Sequence, residues 1–308
     1  MREIRTDRYS YVFSPYAEPI ARVQPGETVV VVTEDAFESR IRSESDLPSQ
    51  VLNFPFLNPQ TGPIWVEGAE KGDTLVVEIL GIELTRDWVV SAHIPYFGAL
   101  TGTADTALLA EPLPEKVFVY PLRDGHVELP RGVRVPVHPF LGTIATAPEI
   151  EAIAALVPGD FGGNMDVPDT CAGNTVRLPV RAPGALFYTG DAHAAQGDGE
   201  LCGVACEVTA RVTLRFGLEK GRAIAWPRIE SPTALSTVGS SRPLEDAARI
   251  AWVELVKWLE DDYGYDRWEA YQLLTQAGRM RVGNMVDPKY SMVASIDKAL
   301  LPAPAALP

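Results

Sequence analysis

The chain has 308 residues, 46% of them hydrophobic and 22% charged, which is enough to bury a sizeable core. Its 41 acidic against 27 basic residues leave a formal charge of -14, opposing contact with nucleic-acid phosphates or anionic lipid. No apolar run is long enough to cross a bilayer and Met1 to Arg5 leads into no apolar signal core, so a cytoplasmic protein without nucleic-acid or membrane partners is expected.

In chain order, short strands separated by Gly- and Pro-containing turns are predicted at residues 28–33, 74–84, 116–122, 127–135, 175–180 and 185–189. Helical periodicity is nearly absent over this stretch. From 204 onward the pattern alternates strictly, placing Val204, Cys206, Val208, Ala210, Val212, Leu214 and Phe216 on an inward face and Glu207, Thr209, Arg211, Thr213 and Arg215 on the outward one. Cys206 is thereby read as a small core residue rather than a metal ligand with Cys202. Three cysteines, with Cys171 the third, do not suggest a disulfide framework.

Near Pro243 the period changes. Leu244, Ala247, Ala248, Ala251, Trp252, Leu255, Trp258 and Leu259 recur at helical spacing until Gly264. Asp266 followed by Glu269 is a capping-box start for a second helix that ends near Gly278, and a strand is predicted at 290–296. The fold class expected is mixed, β-rich α+β: an antiparallel β-sandwich or barrel-like core with a C-terminal helical hairpin. We read residues 1–308 as a single domain, with a β-rich core over 1–240 and the hairpin plus terminal strand over 241–308. The helix faces and the prevalence of symmetric assemblies lead us to expect a homo-oligomer.

Three glycine-rich loops concentrate the polar residues that carry chemistry. They hold His138 in the first, Asn164 and Asp166 in the second, and Asp191, His193, Gln196, Asp198 and Glu200 in the third. Asp191 and His193 are two apart, so a strand that persists through them projects both from one face, a spacing suited to mixed nitrogen and oxygen ligation of a divalent metal. Strand parity with Cys202 and Val204 turns Glu200 inward, where a carboxylate needs a partner or a task. Taken singly, each acidic residue also suits an ordinary turn. Of the remaining histidines, His93 is the better candidate and His126 lies in an apparent exposed turn. No Gly-x-Ser-x-Gly elbow and no phosphate-binding Gly loop with Lys is present.

The segments HPFLGTIATAP (138–148), GGNMD (162–166), LPVRAPGALFYTGDAHAAQGDGE (178–200) and RVGNMVDP (281–288) resemble the acetamidase/formamidase family, which includes γ-lactamase-like members. The resemblance implies a β-rich fold and hydrolysis of a non-peptide amide C–N bond, in formamide, acetamide or a γ-lactam. It also implies a divalent metal, zinc or alternatively calcium, with His138, Asp166, Asp191 and His193 as ligand candidates. Glu200 is then the carboxylate that moves the proton, and Asn164 and Gln196 are candidates for holding substrate. The competing expectation is a non-catalytic small-molecule-binding β-protein in which oxygen-rich loops hold a structural Ca2+.

Overall fold

The structure, a computed structural model, describes residues 1–101 and 111–304. Two large sheets stack over a shared core and neither closes into a barrel. The nine-stranded sheet runs Arg2–Ile4, Thr28–Thr33, Ala210–Glu219, Thr74–Leu84, Thr175–Pro179, Arg228–Glu230, Ala234–Ser241, Tyr290–Asp297 and Arg279–Asn284. Its neighbours are antiparallel except for the first pair. The ten-stranded sheet is organised around Phe187–His193, which pairs with Phe140–Ala145 on one side and with Gln60–Val66 and Glu207–Val208 on the other.

Alternating apolar residues explain the stacking, since one row of each sheet must leave water. Val29, Val31, Val212, Leu214 and Phe216 come from the nine-stranded sheet, and Ile64, Leu141, Ile144 and Phe187 from the other. The Phe187 and Phe216 rings meet edge to face across the gap, with centroids 5.1 Å apart.

Three expected elements take a different form. The strand predicted at 127–135 is a hairpin of His126–Leu129 and Val133–Pro136, broken where Arg131 and Gly132 take φ of 62° and 77°. His126 therefore begins a strand instead of sitting in a turn. The strand predicted from 185 starts at Phe187, because Ala185 and Leu186 occupy the left-handed region at φ of 56° and 51°. The alternation predicted from 204 holds from Val208 onward but not before it. Glu207–Val208 belongs to the ten-stranded sheet and Ala210–Glu219 to the nine-stranded one, so the chain changes sheets at Thr209 and Glu207 does not lie on the outward row of the longer strand. Glu207, expected outward, is buried, whereas Cys206 is half-buried against the core as expected.

The helical hairpin forms as its caps dictate. Leu244–Tyr263 ends at Gly264 in the left-handed conformation, φ 69°, and Arg267–Ala277 starts with both halves of the Asp266 and Glu269 capping box made. The long helix lies on Ala234–Ser241 and Tyr290–Asp297, burying Trp258, Leu255 and Leu259. Arg228 Nε donates to Glu254 Oε1 at 2.7 Å beneath it. No helix among the described residues is long and apolar enough to cross a membrane.

Candidate active site

The central strand Phe187–His193 persists through Asp191 and His193, so both side chains enter the same buried cluster. His193 Nε2 lies 3.3 Å from Asp191 Oδ1 and 3.2 Å from Glu207 Oε1. Asp166 arrives from the loop after Gly162–Asn164, and its ligand-type atom, like those of Asp191 and His193, lies within 4.8 Å of the others in that group. A second such group joins His193 to Glu200 and Glu207.

The backbone is bent to make this convergence possible. Asn58, Asp166, Asp191 and Glu200 all have positive φ, at 58°, 49°, 58° and 46°. Asn and Asp tolerate this region and Glu does so at greater cost, so the surrounding structure must hold Glu200 there. It does so through the neighbouring Gly199, whose amide donates to the carbonyls of Val282 and Gly283 at 3.2 and 3.1 Å and whose carbonyl accepts from Met285 at 3.1 Å. Glu200 thus points inward because of a turn pinned to Arg279–Asn284, not because of the strand parity expected between 200 and 204. Gly142 supplies the remaining room: a Cβ there would collide with the Asp166 and Asp191 carboxylates and approach the His193 ring to 3.0 Å.

Asparagine amides tie the carboxylates from behind. Asn164 Nδ2 donates to Asp166 Oδ2 and to Asp287 Oδ2, each at 2.9 Å, while its Oδ1 accepts from Asn58 at 2.7 Å and from Thr143. Asn284 Nδ2 also donates to Asp287 Oδ2, at 3.1 Å. Gln196 plays a comparable part at the imidazole. Its Nε2 donates to the carbonyls of Asp166 and Gly283 at 2.9 and 3.2 Å, which turns Oε1 toward His193 Nδ1 at 2.9 Å. That contact places a proton on Nδ1 and aims Nε2 at the carboxylates. Asn164 lines the cavity described below, and Gln196 contacts the cluster from behind.

The electrostatics follow from crowding acids in a buried space. Desolvation raises the pKa of Asp166 and Glu200 well above the carboxylate range, reinforced at both by neighbouring acids and opposed by His193. Burial likewise lifts Glu207 and Asp287 to about 7. At His193 burial disfavours the charged ring, but Glu207 and Asp191 outweigh it and raise the pKa well above the usual value. Burial also opposes ionisation of Asp191, yet the adjoining His193 holds that group below its ordinary value.

Asp166 Oδ1 and Glu207 Oε2 are buried without a hydrogen-bond partner, and His193 Nε2 has only the Asp191 and Glu207 oxygens beside it, at 3.3 and 3.2 Å. A single proton on Nε2 leaves the two carboxylate oxygens unanswered, whereas a divalent cation beside His193 answers the carboxylates of the group that holds it. One imidazole with several carboxylates is a donor set that fits such an ion.

His138 is not brought to the cluster. It is exposed, and its amide donates to the Ala194 carbonyl at 2.9 Å. His93 is half-buried against Phe118, and Asp198 pairs at the surface with Arg281. Conversely, Glu207, Asp287, Asn58 and Asn284 were not singled out by the sequence pattern. For Asn284 and Asp287 a signal existed, because both lie in the segment RVGNMVDP.

A cavity of about 330 Å³ opens onto the cluster, with Asn164, Asp191, Glu200, Glu207 and Asp287 at its polar end. A larger groove of about 790 Å³ lies on the helical hairpin beside Trp252, Trp268 and Tyr271. Among the described residues two groups have metal-ligand spacing, and their members Asp191, Glu200 and Glu207 line the former.

The acetamidase/formamidase family model matches residues 6–157 and 150–301, together most of the chain. The chain belongs to the acetamidase/formamidase family. It is similar to an acetamidase of Yersinia enterocolitica of known structure at 48% identity and a TM-score of 0.93, covering 96% of this chain and 90% of that one. An acetamidase of Bacillus halodurans is similar at 33% identity and a TM-score of 0.88, over 96% of this chain and 97% of that one. A formamidase of Methylophilus methylotrophus is 26% identical over 254 residues, 65% of this chain and 61% of its own. The chain spans about three fifths of the length of the first curated family relatives it matches.

Proposed function

We propose that this protein hydrolyses the C–N bond of a non-peptide amide, using a divalent cation held by Asp166, Asp191, His193 and Glu207, with zinc as the ion and calcium as the alternative. The observation that supports this reading is a pair of buried groups with metal-ligand spacing that share His193, Asp166–Asp191–His193 and His193–Glu200–Glu207, beside a cavity lined by Asp191, Glu200 and Glu207. Family relatives named acetamidase and formamidase support the reaction class. Glu207 takes the place in the ligand set that sequence reading assigned to His138.

When bound, the cation supplies positive charge that polarises the amide carbonyl and acidifies water. Glu200 lines the cavity, and burial raises its pKa well above the ordinary carboxylate value, which suits it to carry a proton there. It accepts the proton that water loses as its oxygen bonds to the carbonyl carbon. It then gives that proton to nitrogen, so that the C–N bond breaks with ammonia or an amine as the leaving group. Asp287 and Asn164 line the same end and keep the carboxylates aligned, while Gln196 keeps His193 Nε2 directed at the ion.

Release of ammonia from acetamide and formamide by metal-loaded protein is the direct test, with Glu200→Gln as the informative variant. A loss in kcat of about 10²–10⁴ with full metal content is expected for a residue that moves the proton. Unchanged turnover in that variant would remove Glu200 from the reaction.

A further inference from the structure

Resting on the amide-hydrolase reading, the cavity also specifies what the amide carries. Its wall is apolar, built by Phe37, Leu57, Ile94, Phe97, Leu156 and Val204, while every carboxylate is gathered at one end. A volume of about 330 Å³ equals roughly eleven waters at about 30 Å³ each. Acetamide, with four heavy atoms, leaves most of that space to water against an apolar surface.

The wall is held in place by bonds of its own. Phe97 donates its amide to the Ile94 carbonyl at 3.1 Å, and its ring rests on Gly203, where a Cβ would come within 2.5 Å of it. Phe37 donates to Asp35 Oδ1 at 2.9 Å, and Arg86 fixes the other oxygen of Asp35 at 2.6 Å. Such a wall is preformed for its ligand and does not have to order on binding. Among the described residues no Lys or Arg lines the cavity, so a carboxylate on the substrate would meet Glu200, Glu207 and Asp287 without a compensating cation from them.

We infer that the site takes neutral carboxamides bearing a bulky apolar acyl group of about phenylacetyl size, and that acetamide underfills it. The amide group sits at the polar end and the hydrocarbon against the wall.

The test uses the full-length, zinc-loaded protein and measures both kcat/KM and calorimetric affinity for acetamide, isobutyramide, phenylacetamide and 4-carboxyphenylacetamide. Phenylacetamide is expected to bind about ten- to hundredfold more tightly than acetamide, with isobutyramide between them. The carboxylated analogue is expected to lose at least about tenfold against phenylacetamide. Val204→Phe and, separately, Leu156→Phe should lower kcat/KM and affinity for phenylacetamide at least about tenfold more than for acetamide, and either variant suffices if the other does not fold. Equal or better binding and turnover of acetamide by the wild type would overturn the inference and leave amide hydrolysis standing. The expected order of affinities without cleavage of any amide would support the pocket's ligand class and remove hydrolysis. No binding preference for the larger amide would overturn the inference whether or not cleavage occurs.

Discussion

Gln196 illustrates how a side chain can govern a site without entering it. Two main-chain carbonyls take its amide protons, so its oxygen is left facing His193 Nδ1. Gln196→Ala should therefore weaken metal affinity about 10–100-fold while the fold is retained, as competition with a chelator would measure. Gly142 acts by absence. Gly142→Ala places a methyl among the Asp166 and Asp191 carboxylates, and the expected result is about 1–3 kcal/mol of lost stability together with loss of stoichiometric metal. Denaturant titration and elemental analysis check the two effects, and unchanged metal content would show that the carboxylates have room the geometry denies. At this scale the sequence was most readable where neighbours in the chain are neighbours in space. Asp191 and His193 were found from a spacing of two on a strand, whereas Glu207 and Asp287 reach the same cluster from other elements. Glu207 was further hidden by an alternation that placed it outward.

Elements were legible in proportion to the physical signal at their ends. The long helix declared itself by period and by Gly264, and the second by a capping box that the structure makes with both hydrogen bonds. The strands at 28–33 and 74–84 had clean runs bounded by turns and kept those limits. The segment 200–206 misled, because the inward direction of Glu200 depends on hydrogen bonds to Val282 and Gly283, far away in sequence. Ion pairs at element junctions carry a testable pH dependence. At Glu230 burial would raise the pKa, but Lys298 at 2.7 Å and Arg177 at 2.9 Å outweigh it and depress the group below 4.5. A folded-state value below the unfolded one adds stability above the unfolded pKa and loses it as pH falls through the folded pKa. Glu230→Gln should accordingly be less stable than wild type at pH 7, with the difference shrinking as pH falls below about 4, where the unfolded group is protonated. Parallel denaturation curves across pH would show this, and a constant difference would contradict it.

Across the whole molecule, the two sheets act as a frame that brings distant segments to one point. Asn58, Asp166, Asp191, Glu200, Glu207 and Asp287 come from five stretches of the chain, Asp191 and Glu200 sharing one, and each is buried. The sandwich alternative in the expected fold class was correct and the barrel was not, a distinction that depends on how sheet edges end rather than on any local pattern. Several acids around one imidazole are costly to bury without a counter-charge, so a cation should link folding to chemistry. Metal removal is expected to abolish amide hydrolysis and to lower the melting temperature. The most direct measurement is therefore a titration of metal-free protein with Zn2+, following ammonia release from phenylacetamide and bound metal together. Activity rising in proportion to bound metal from a baseline near zero is the result expected. Full turnover before any metal is added would contradict the account.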